Sequence, residues 1–137
     1  MRIMKSFAVL AVLGALVVPV AARAQAAVQA NIPFEFAAGD SILPPGSYQF
    51  ESSSHVGMLT IWSIDQNTRR LLMANRAYRS GRGDRTGKVV FNKYGDRYFL
   101  AEVWSLGEES GRRVPKTRQE REASRTAKAQ PFMVAAR

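Results

Sequence analysis

The chain reads as an all-β protein: a single antiparallel β-sandwich or small open barrel of about six to seven strands, followed by a basic segment that is helical or disordered. Three observations predict this. Strand-like runs with period-2 alternation recur every ~8 to 14 residues, separated by short turn clusters. No helical pattern is interleaved with them, which argues against a parallel sheet. Gly95-Asp96 stands between two β-rich runs as a tight-turn pair.

The first strand runs from Val28 to Phe36, where Val28, Ala30, Ile32, Phe34 and Phe36 alternate with polar residues and Pro33. Pro33 lacks a ladder donor, so this strand belongs at an edge or turns that position away from a neighbour. Leu43-Pro44-Pro45-Gly46 fits a type II turn, with positive φ expected at Gly46. Ser47–Ser52 follows as a strand with Tyr48 and Phe50 on one face. Met58–Ile64 is apolar on both faces and is read as central. After the turn cluster Asp65-Gln66-Asn67-Thr68, a fourth strand is expected over Arg70–Tyr78. Arg79–Gly87, rich in Gly and Arg, is read as an exposed loop. The hairpin Val89–Tyr94 and Arg97–Trp104 sets Lys93 opposite Tyr98 and Phe91 opposite Leu100.

Residues 1–24 have the features of a secretory signal peptide. Arg2 and Lys5 precede the apolar run Phe7–Val20, and Ala22-Arg23-Ala24 is a small-x-small cleavage site. The apolar run is too short to span a bilayer core of roughly 30 Å with stability. The expected product is exported, periplasmic or extracellular, and not transmembrane after cleavage. Residues 25–110 then form the β domain and residues 111–137 the basic tail. The chain contains no cysteine. That excludes a disulfide, a thiolate metal site, a cysteine nucleophile and a lipid attached at cysteine.

The motifs Asn31-Ile32-Pro33-Phe34-Glu35-Phe36, Leu43-Pro44-Pro45-Gly46-Ser47-Tyr48 and Tyr94-Gly95-Asp96-Arg97-Tyr98-Phe99-Leu100, with the basic segment Pro115–Glu122, resemble a group of small uncharacterised secreted bacterial β proteins. Those carry N-[IV]-P-F-x-F, L-P-x-G-x-Y and Y-G-D-x-Y-F-L motifs. The resemblance spans about Asn31 to Arg125 and implies an extracytoplasmic β domain. It brings no activity with it.

Catalytic chemistry has little to stand on. His55 is the single histidine and neighbours Ser52, Ser53 and Ser54, yet adjacent loop residues lack triad geometry and there is no G-x-S-x-G elbow. Glu35 and Glu51 form a possible acid/base pair only if two strands bring them together. No ligand spacing suits zinc or calcium. No catalytic residue, metal site or cofactor is assigned. Arg82-Gly83-Asp84 spells an adhesion tripeptide, but in a loop already rich in these residues it is read as chance. Trp62, Trp104, Tyr48, Phe50, Phe91, Phe99 and Tyr98 are read as core at strand periodicity, and otherwise as a ligand groove.

The charge distribution points to a partner. The chain carries +9, three of its basic residues lying before Gln25. Arg112, Arg113, Lys116, Arg118, Arg121, Arg125 and Lys128 face only Glu120 and Glu122 across the same stretch. Export directs the chain away from nucleic acid, and there are no aromatics between Arg112 and Gln130 to stack on bases. The expected partner is an anionic envelope component: a lipid headgroup, lipopolysaccharide or acidic polymer. The leading reading is therefore a non-enzymatic envelope structural or interaction module. Its alternatives are a β-barrel carrier of a small apolar ligand and a hydrolase using Glu35, Glu51 or His55. Without an apolar stripe, Lys116–Arg137 is expected to be dispensable for folding.

Overall fold

The computed structural model describes residues 27–53, 57–81 and 84–137, so the expected cleavage site after Ala24, His55, and Arg82 with Gly83 lie outside the described residues. In chain order the strands are β1 (Ala27–Ile32), β2 (Phe36–Ala38), β3 (Ser41–Leu43), β4 (Gly46–Ser53), β5 (Met58–Ser63), β6 (Thr68–Met73) and β7 (Asn75–Tyr78). Then follow β8 (Lys88–Tyr94), β9 (Arg97–Trp104), β10 (Ser110–Arg113), the helix α1 (Arg118–Thr126) and β11 (Gln130–Ala135). The fold is all-β and sandwich-like, with more strands than the six to seven expected.

One sheet has the order β1-β4-β5-β6, antiparallel throughout. The other runs β11-β8-β9-β10-β7 and is joined by the β2–β3 hairpin where Ala37 pairs in parallel with Phe99. The apolar alternation seen in the sequence fills the space between the sheets. Ile32, Phe36, Tyr48, Phe50, Leu59, Ile61, Val89 and Phe91 are each less than 2% exposed. Phe36 meets Tyr48 and Phe91 edge-on, with ring centroids 5.1 and 5.2 Å apart. Burial of such side chains stabilises by about 1.5–3 kcal/mol each.

Backbone links tie the sheets at both sides. Buried Ala74 alone separates β6 from β7, so one continuous stretch passes from the first sheet to the second. The expected single strand Arg70–Tyr78 is thus two. On the opposite side Gln29 and Arg137 exchange both backbone hydrogen bonds, at 3.0 and 2.9 Å, as an antiparallel pair does.

Gly46 does not take the positive φ expected of a type II turn; it begins β4. Its requirement for glycine is one of space. A Cβ there would lie 2.6 Å from Asp65 Oδ2, the oxygen that accepts the Ser47 N–H at 2.9 Å. The turn is closed instead by the buried Tyr48 hydroxyl, which donates to the Pro44 carbonyl. Gly95 does take positive φ, 59°, and the hairpin register sets Lys93 opposite Tyr98 and Phe91 opposite Leu100 as expected.

The segment 111–137 is helical over α1, one of the two states expected of it, but it is not a detached tail: it begins inside β10 and returns as β11, which pairs with β8 over six positions from Gln130↔Lys93 to Ala135↔Lys88. Phe132 packs edge-on against Phe34 and Tyr98, and Val134 against the core. The alternation in Gln130–Ala135 is short and follows a charged helix, so its β character emerges only once β8 offers a free edge.

A bulge in the β8–β9 hairpin sets the chemistry of the outer surface. Phe91 pairs with Leu100 but Val90 with Glu102, leaving Ala101 without a partner on β8. Its carbonyl accepts from Val114 N at 2.8 Å. One extra residue reverses the facing of everything beyond it. Val103 therefore joins Leu100 in the core, while Trp104 turns outward into a separate cluster with Val90 and Ala77.

Candidate functional site

The outer face of the larger sheet carries the most chemistry. Its two halves are occupied differently. At one end Tyr94, Phe99 and Ala37 are covered by α1 through Ala123 and Ala127, whose small side chains permit close approach. The helix starts at Thr117, whose hydroxyl accepts from Glu120 N at 3.2 Å. In a capping box the residue three positions on would reach back to the cap. Here Glu120 turns inward: Oε1 accepts from Asn92 Nδ2 at 2.9 Å and from the Tyr94 hydroxyl at 3.1 Å. Glu120 is 3% exposed and pins the helix to the sheet. Burial, and then the adjoining Glu120 carboxylate, push the Tyr94 hydroxyl above its usual pKa, which keeps it a donor.

Beyond α1 the same face opens into a cleft of about 660 Å³. Val90, Trp104, Val114, Pro131 and Met133 supply its apolar lining, and Arg79, Asp84, Lys88, Glu102, Arg113 and Lys116 its charged groups. Trp104 is only 4% exposed, although it faces outward. One side of its ring lies on Gly111, where a Cβ would come within 2.4 Å, and the Arg79 guanidinium sits 5.1 Å from the ring centroid. Its Nε1 donates to Glu102 Oε2 at 2.8 Å, and Arg113, directly across the strand pair, bonds Glu102 Oε1 at 3.0 Å.

Arg79 builds the cleft wall. Its side chain is 9% exposed, and its guanidinium donates to the carbonyls of Glu108, Asp84, Thr86 and Ser105 at 2.5–3.3 Å. Asp84 and Thr86, from the stretch read as an exposed loop, are therefore gathered around a largely buried cation. Asp84 also joins Lys88 Nζ at 2.7 Å and accepts from Thr86. The lysine hydrogen bond, followed by those of Thr86, holds the Asp84 carboxyl well below the usual carboxylate range.

The seven basic residues expected to act together are separated by the fold. Arg112 is buried, and its Nη2 donates to the Ser53 carbonyl at 2.8 Å, so it serves the inter-sheet space. Arg113 and Lys116 line the cleft. Arg118, Arg121 and Arg125 are exposed on α1, at helical positions opposite Glu120, Ala123 and Ala127. Arg118 pairs with Glu122 at 3.2 Å, Arg121 donates to the Lys116 carbonyl at 3.0 Å, and Lys128 is exposed just past the helix.

The carboxylates singled out as a possible acid/base pair are not brought into one cleft. Glu35 lines a shallow depression with Asp96 and Arg97, whereas Glu51 lies on β4 and accepts from Gln49 Nε2 at 3.1 Å. Of the aromatics, Tyr48, Phe50 and Phe91 are core, Tyr98 stacks on Phe34 at 3.8 Å, and Trp62 lies under Arg69 on the outside of the smaller sheet. Among the described residues, no three His, Asp or Glu side chains cluster as metal ligands, and no helix is long and apolar enough to cross a membrane.

Sequence reasoning missed Glu120, Asn92, Arg79 and Trp104 as an outward-facing group. Thr117-x-x-Glu120 before a helix was a legible capping signal, but its use as an anchor depends on β8. The chain matches no protein-family model, no curated protein and no solved structure.

Proposed function

We propose that this protein is an exported, non-enzymatic β domain that docks on an anionic lipid surface of the cell envelope through the outward side of α1. The observation that carries the reading is the helix itself, which places Arg118, Arg121 and Arg125 in solvent while Glu120, Ala123 and Ala127 hold it rigidly to the sheet. A helix fixed in this way presents its charges without ordering a flexible tail on contact. Each basic residue near an acidic bilayer contributes about 1 kcal/mol. The filled space between the sheets supports docking over carriage of a ligand there.

Co-sedimentation tests the reading. The protein is expected to bind vesicles containing phosphatidylglycerol, not pure phosphatidylcholine, with binding that falls as salt rises from low to physiological strength. The triple variant Arg118→Glu, Arg121→Glu, Arg125→Glu should bind at least on the order of 100-fold more weakly. Binding unaffected by salt or by the triple variant overturns the reading.

A further inference from the structure

The outer cleft is a second site on the same face, separate from the helix arginines. Its volume of about 660 Å³ lies within the roughly 300–1,000 Å³ range of small-molecule sites. We propose that it binds an aliphatic chain ending in a carboxylate, of the fatty-acid type.

The lining selects the aliphatic part. Val90, Val114, Pro131 and Met133 are unconjugated, and Met133 is 60% exposed there. The ring of Trp104 is not open for stacking a sugar or aromatic ligand, since Gly111 lies on one side and Arg79 over the ring. It contributes an edge to the floor and nothing more.

The charges select the anionic end. Arg79, Lys88, Arg113 and Lys116 line the cleft against Asp84 and Glu102 alone. Both carboxylates are already satisfied within the protein: Glu102 by Arg113 and Trp104, Asp84 by Lys88, Thr86 and Arg79. Lys116 has no carboxylate within ion-pair distance among the described residues. A ligand cation would find no unengaged acid, while a ligand carboxylate would find Lys116 free and Arg113 close by on the same chain segment. This places an anion at the rim and its chain along Val90 and Met133.

Dodecanoate below its micellar concentration is the probe, with dodecylammonium as the matched cation. Calorimetry should give saturable one-site binding of dodecanoate, with dodecylammonium at least tenfold weaker. In a Trp62→Phe background the emission of Trp104 should shift on saturation. Lys116→Glu, an exposed substitution that leaves the core untouched, should weaken dodecanoate at least fivefold, and Met133→Asp should do the same from the apolar side. The double variant Arg118→Glu, Arg125→Glu, which spares the Arg121 bond to the Lys116 carbonyl, should keep dodecanoate affinity whether or not it binds vesicles, which separates this site from the docking face. Absence of saturable binding, equal affinity for both probes, or unchanged affinity in both single variants overturns the proposal.

Discussion

The Tyr94 hydroxyl donates to Glu120 Oε1 at 3.1 Å across 26 positions of sequence, joining the end of β8 to the first turn of α1. Asn92 reaches the same oxygen at 2.9 Å, so one buried carboxylate secures the helix. Glu120→Ala leaves both donors without an acceptor and should cost about 1–3 kcal/mol in urea unfolding. Glu120→Gln, which retains an acceptor, should cost less. Equal stability of Glu120→Ala and wild type would refute the anchoring role.

Tyr94 and Tyr48 both ionise above their usual value of 10.0, chiefly through burial. The folded state therefore holds these protons more tightly than the unfolded chain. Their contribution to stability is complete below pH 10 and is lost as pH rises through the folded values. Chemical denaturation midpoints should decline above about pH 10, and Tyr94→Phe should lessen the decline. A flat alkaline limb in the wild type would count against it.

Gly111 lies beneath Trp104, where even a methyl group would come within 2.4 Å of the ring. Gly111→Ala must displace the indole and should destabilise by about 1–3 kcal/mol. The emission maximum of Trp104, measured with Trp62 replaced by Phe, should move to the red as the ring becomes wetter. Retained stability together with unchanged emission would show that the ring is not held by this contact.

At Gly95 the cost has another origin. Nothing lies within 4 Å of a Cβ there, but φ is 59°, so Gly95→Val should lose about 1–2 kcal/mol through backbone strain alone. Gly95→Asn should lose less, since asparagine tolerates this region. Thermal melts of the pair check the order.

Deleting Gln130–Arg137 should be far from neutral, contrary to the expectation that Lys116–Arg137 is dispensable for folding. It strips β11 from β8, uncovers Phe34 and Tyr98 where Phe132 packs, and removes the Gln29–Arg137 pairing. The loss should be on the order of 3 kcal/mol or more, with β8 left as an open edge. A truncated protein with the wild-type melting temperature would contradict the structure.

What the amino-acid sequence determined by itself is local. Alternation named the strands that bury Ile32, Phe50 and Ile61, and Gly95-Asp96 set the register of β8 against β9, because side-chain facing and turn geometry depend on neighbours a few positions apart. The tertiary structure decided whatever needs a partner far along the chain. The unpaired Ala101 exists only where β8, β9 and the Val114 N–H meet, and it sends Trp104 out of the core and into the cleft. Arg112 resembles the other tail cations until the Ser53 carbonyl, 59 positions earlier, accepts a hydrogen bond from its guanidinium. Glu120 becomes an anchor and Gln130–Ala135 a strand for the same reason: a short segment of weak intrinsic preference takes the conformation that satisfies an edge or a buried donor, and that edge is present only after the sheets have formed.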